Sequence, residues 1–63
     1  MFLVRFYRRE NLPHEEYWYN CKNDAQSHLE LFKDDDSGLY SRIDLCCVNK
    51  EKELVVESLI FTG

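Results

Sequence analysis

Apolar side chains in this chain recur at every second position over most of its length and lose that period once. Phe2, Val4 and Phe6 alternate with Leu3, Arg5 and Tyr7, which assigns the two sets to opposite faces of a strand running from Phe2 to Arg8. Aromatic and β-branched residues, favoured on a pleated surface, fill this segment. Glu15 to Asn20 repeats the pattern, with Tyr17 and Tyr19 on one face and Trp18 on the other. Between the two lies "RENLPH", where Pro13 has no N–H to donate and is excluded from a central ladder position. The economical connection is a hairpin with a loop longer than a tight two-residue turn.

The period changes between Asn23 and Asp34. Ala25, His28, Leu29 and Phe32 recur at the spacing of one helical face, and Leu31 widens that stripe. Asn23 or Asp24 is suited to cap the first N–H groups. The segment makes about 18 Å of helix, the length of a strand of about six residues, so it can lie across a sheet. Asp34, Asp35 and Asp36 are poor helix formers at the negative end of the dipole, and Gly38 can take the left-handed conformation that closes a helix. From Leu39 the period of two returns. Ser41, Ile43, Leu45 and Cys47 share one face, while Tyr40, Arg42, Asp44, Cys46 and Val48 share the other. Asn49 to Lys52 is a polar turn; Leu54, Val56 and Ile60 then form the apolar face of a last strand, with Val55, Leu59 and Phe61 flanking Glu57 opposite.

These periods predict an α+β fold of order ββαββ, a small antiparallel sheet of about four strands with one helix packing Ala25, Leu29 and Phe32 onto one face. Residues 1–63 are read as one compact domain, without repeats or linkers. One helix covers only one face of such a sheet, so Leu3, Tyr7, Trp18, Val55, Leu59 and Phe61 are expected on a face that needs other cover. Size sharpens the point. A chain of 63 residues buries only about 60% of its unfolded surface, so burial gained by self-association adds usefully to its stability. A homodimer through the open face or an exposed strand edge is the expectation.

Charge narrows the partners. The formal net charge is -4, whereas phosphate binding calls for a basic patch. Arg5, Arg8 and Arg9 make the first strand basic; Glu10, Glu15, Glu16, Asp34, Asp35 and Asp36 make an acidic patch. The alternative reading is an acidic mimic of nucleic acid that occupies a basic protein partner, its carboxylates standing in for phosphates. A third reading places RNA or single-stranded DNA on Arg5, Tyr7, Arg8 and Arg42, with bases stacked on aromatic rings. The same residue types are enriched at protein interfaces, and the net charge favours a protein.

No motif names a chemistry. "DDDSG" fails as a calcium loop in either frame: starting at Asp34 puts Leu39 where glycine belongs, and starting at Phe32 loses the first ligand. A structural zinc site needs two close ligand pairs, but Cys46 and Cys47 are adjacent in a strand and point to opposite faces, Cys21 stands alone, and His14 and His28 are isolated. Glu15 and Glu16 face opposite sides of their strand and make no acid–base pair. A nucleophile, a histidine and a carboxylate would have to converge for covalent catalysis, in a chain too short to enclose a sizeable pocket. The expectation is a non-enzymatic protein with no metal or cofactor. An odd number of cysteines cannot all pair, and the apolar run before Arg5 is too short for a signal peptide or a membrane span. Reduced thiols and a cytoplasmic location follow as the reading, without a membrane.

Overall fold

The computed structural model describes residues 1–9 and 14–61. Its elements are β1 (Phe2–Arg8), β2 (Glu15–Tyr19), α1 (Lys22–Glu30), β3 (Tyr40–Val48) and β4 (Glu53–Ile60). The fold is the expected ββαββ arrangement, a four-stranded antiparallel sheet of order β2-β1-β3-β4 with one helix. The sequence left the strand order open. β1 and β3 take the centre, where they are the most buried strands, and Met1 extends their ladder by exchanging two hydrogen bonds with Val48, at 2.8 and 2.9 Å. The expected turn at Pro13 lies outside the described residues.

Val4 and Phe6 from β1 and Ile43 and Leu45 from β3 meet Ala25 and Leu29 from α1 in the core. Phe6 is its aromatic centre. Its ring lies 4.8 Å from Phe32, 5.1 Å from Tyr40, 5.2 Å from His28 and 5.5 Å from Tyr17, mostly in the edge-to-face geometry that ring quadrupoles prefer. The helix lies over β1, β2 and β3, and its backbone stays clear of β4, which it approaches through the Gln26 side chain.

The ends of the helix differ from expectation. It starts at Lys22, with Cys21 in the N-cap position and no side-chain cap, so neither Asn23 nor Asp24 caps it; Asp24 sits in the first turn, where its charge favours the dipole. It stops at Glu30. The N–H groups of Phe32, Lys33 and Asp35 then bond carbonyls three residues back, the tighter turn that absorbs orphaned carbonyls at a helix end. This tightening carries Phe32 inward against Phe6 and leaves Leu31 outside the stripe at 79% exposed. Gly38 does take a left-handed φ of 75°, but it does so beyond the helix end, on the way into β3.

Two irregularities overturn part of the expected face assignment. Tyr7 pairs with Arg42 but Arg8 pairs with Tyr40, skipping Ser41. Leu45 pairs with Glu57 but Cys46 pairs with Val55, skipping Val56. Each extra residue reverses the alternation beyond it. Tyr40 therefore joins the helix side, against Phe6 and Phe32. Leu59 and Phe61, expected on the open face, pack against the core instead. Ile60 moves the other way, pairing with Arg42 on the face opposite the helix.

Leu29 is fully buried and Phe32 packs on the same core. Leu29→Ala and Phe32→Ala should each lower stability by about 2 to 5 kcal/mol, through lost transfer energy and the cavity left behind. Asp35→Ser should stay within about 0.5 kcal/mol of the parent, as a change at a half-buried loop position that eases charge near the helix end. Urea unfolding of the three variants checks this; a loss for Asp35→Ser as large as that for Leu29→Ala would reveal an organised site in the acidic loop.

Candidate functional site

The face opposite the helix is the expected functional surface, and its register can be read in rows across the sheet. Trp18, Leu3, Cys46 and Val55 form one row; Glu16, Arg5, Asp44 and Ser58 form the next; Tyr7, Arg42 and Ile60 form a third. Apolar residues at one end of a face with charged residues beside them would ordinarily leave the apolar row wet. Here Leu3 and Cys46 are both 0% exposed although no helix lies over them.

Arg5 explains this. Its Nε donates to Glu16 on β2 at 2.7 Å, while Nη1 and Nη2 donate to both carboxylate oxygens of Glu53 on β4, at 3.2 and 3.0 Å. β3 lies between β1 and β4, so the side chain passes over β3 and its stem shelters the apolar row beneath. Nη1 also donates to the Tyr7 hydroxyl at 3.4 Å. The Arg42 guanidinium sits 4.3 Å from the Tyr7 ring centroid and its Nε donates to Asp44 at 3.1 Å. Asp44, only 3% exposed, also accepts from the Ser58 hydroxyl at 2.7 Å. The result is one polar network touching all four strands. Bidentate pairing holds Arg5 charged, its pKa driven further up, chiefly by Glu53 and then by Tyr7 and Glu16. The Cys46 thiol is pushed up, first by burial and then by Glu53 and Asp44.

The residues expected at an interface are thus divided. Leu3 is buried and Tyr7 is covered by Arg42; Leu59 and Phe61 lie on the helix side. Trp18 and Val55 remain on the open face at 50% and 56% exposed. Sequence reasoning named Val55 of the apolar edge strand but not its neighbours Leu54, Val56 and Ile60. Leu54, Val55, Val56 and Ile60 on β4 are 57%, 56%, 46% and 70% exposed, along a strand that the helix does not cover. The total accessible surface, 4540 Å², is near the ~4,300 Å² expected for a compact chain of this mass. What is unusual is which residues make it up.

The acidic residues do not form one face. Glu10 lies outside the described residues. Glu15 accepts from the hydroxyls of Tyr17 and Tyr40, at 3.1 and 3.3 Å, on the helix side, while Glu16 binds Arg5 on the other. Asp34, Asp35 and Asp36 lie in the segment after the helix, where Asp35 accepts from the Ser37 hydroxyl at 2.7 Å. Asp35 and Asp36 border an open cleft of about 390 Å³ with Arg9, Ile60 and Phe61. Of the arginines expected to meet nucleic acid, Arg5 and Arg42 are engaged in the network. Cys21 is exposed, Cys47 half-buried and Cys46 buried. Among the described residues no cluster of three or more His, Cys, Asp or Glu side chains could hold a metal ion, and no helix is long and apolar enough to cross a membrane.

His28 lies among the core aromatics, its ring 4.9 Å from Tyr17 and 5.8 Å from Phe32, with Nδ1 2.8 Å from the Tyr19 hydroxyl. In the Nε2–H tautomer Nδ1 accepts from that hydroxyl. The titratable groups facing it are Tyr17 and Tyr19 from β2, with Glu15 one hydrogen bond further away. No family model, curated protein or solved structure matches the chain.

Arg5→Ala should open the row beneath it and lower stability by about 1 to 3 kcal/mol, from lost charge-assisted bonds and lost stem packing. Alkylation followed by peptide mass analysis should then find Cys46 modified in the folded variant and protected in the parent. Equal protection in both would show that Arg5 does not cover it. Burial lowers the His28 pKa below its ordinary 6.5, so the unfolded chain binds the proton more readily and stability falls as pH drops below about 6.5. An NMR titration of the His28 ring should give a midpoint below that value; a midpoint above it would contradict the burial.

Proposed function

We propose that this chain is a non-enzymatic protein-binding module that self-associates as a homodimer. The supporting observation is β4, an edge strand that presents Leu54, Val55, Val56 and Ile60 to solvent without cover from the helix. Edge strands with exposed aliphatic side chains are templates for pairing, and fully burying one such side chain is worth about 1.5 to 3 kcal/mol. Covering what two copies expose contributes on the order of 10 kcal/mol, against an association cost of about 4 to 15. Backbone hydrogen bonds along the paired edge add a margin of roughly 1 kcal/mol each. That balance suits a dimer of micromolar rather than nanomolar strength.

The acidic-mimic and nucleic-acid readings draw less support. Glu15 and Glu16 point to opposite faces and each is bonded within the chain. Tyr7 has one side taken by Arg42, and Arg5 is bonded to two carboxylates, which leaves little of that surface for bases or phosphates. Sedimentation equilibrium from well below to well above micromolar concentration should show the mass rise from the 7.6 kDa of one chain toward twice that value. A mass of 7.6 kDa across that range would overturn the proposal.

A further inference from the structure

The two ends of β4 carry opposite charge, and this selects a geometry for the dimer. At the N-terminal end, the exposed turn holds Lys50 and Lys52, with Glu51 between them; Glu53 is drawn across the sheet by Arg5. At the C-terminal end, Ile60 and Phe61 share a cleft with Asp35, Asp36 and Arg9, whose guanidinium donates to the Phe61 carbonyl at 2.7 Å, so the two carboxylates leave a net negative charge there. Glu57, the remaining carboxylate of the strand, lies 3.5 Å from the Gln26 amide nitrogen of the helix. Both in-strand glutamates that would ordinarily guard an edge are thus turned toward their own chain.

We propose that β4 of one copy pairs antiparallel with β4 of a second copy about a two-fold axis near Val56. The pairing joins the two sheets edge to edge and sets Lys50 and Lys52 of each copy against Asp35 and Asp36 of the other. This inference rests on the self-association reading and adds to it the edge used, the direction of pairing and the charges that fix it. β4 spans Glu53–Ile60, about 26 Å of strand, and a two-fold axis at its middle brings unlike ends together at both limits. A two-fold contact is closed, so it consumes the β4 edge in both copies and leaves the two β2 edges at the ends of the joined sheet. The opposite edge is less suited: β2 is shorter and lies under the helix.

A charge exchange tests this on the intact chain, read as the dimer dissociation constant at low ionic strength. Lys50→Glu with Lys52→Glu should weaken the dimer roughly tenfold or more, by losing four attractive contacts and creating repulsive ones. Adding Asp35→Lys and Asp36→Lys to the same chain should restore it, and this recovery shows that the first pair had not simply unfolded the protein. Trp18→Ser, on the open face, should leave the constant unchanged. A parent dimer that ignores the lysine substitutions but is lost with Trp18→Ser would overturn β4 pairing while leaving self-association standing. A monomeric parent would overturn both.

Discussion

Arg5 is the contact on which the two faces of this sheet depend. A four-stranded sheet with one helix has a face that no second layer covers, and an isolated surface ion pair contributes little to closing it. Arg5 differs from such a pair in its reach. It binds Glu16 on one edge strand and Glu53 on the other, so that a single side chain ties β2 to β4 over the two central strands. Its span from β2 to β4 crosses the row that holds the buried Leu3 and Cys46, and its head is braced by Tyr7, which is itself stacked beneath Arg42. The polar network spans this face, with Trp18 and Val55 left half exposed beside it.

That network moves the apolar liability to β4. The helix buries the middle of the sheet and the arginine network spans the opposite side as far as Glu53 and Ser58 on β4, but neither covers Leu54, Val55, Val56 and Ile60. The carboxylates of Glu53 and Glu57, which would blunt the strand if they faced outward, are instead directed to Arg5 and toward Gln26. What stays outside is an aliphatic ribbon with Lys50 and Lys52 flanking Glu51 at one end and Asp35 and Asp36 beside Arg9 at the other.

The element order was legible because the two periods are physically distinct: a run such as Phe2 to Arg8 alternates, whereas Ala25, His28, Leu29 and Phe32 do not. The helix core was legible for the same reason. The extra residues at Ser41 and Val56 were not, because neither carries a glycine or proline signature and a bulge is set by the pairing of two strands. Everything beyond them changed face, which is why Leu59 and Phe61 belong to the core and Ile60 does not. The Arg5–Glu53 contact joins residues 48 positions apart, a juxtaposition that depends on β3 lying between their strands. An unknown strand order therefore concealed both the spanned face and the open edge. The early helix stop had a partial signal in the three aspartates, but the tight turn depends on Phe32 reaching Phe6.

If β4 is the edge that seeks a partner, its outward amides should sense the concentration of the chain. Hydrogen exchange followed by mass spectrometry, compared well below and well above micromolar concentration, reads this directly. Slower exchange across Glu53–Ile60 at high concentration, with Glu15–Tyr19 unchanged, is the expected result. Exchange in β4 that is independent of concentration, or protection confined to β2, would contradict it.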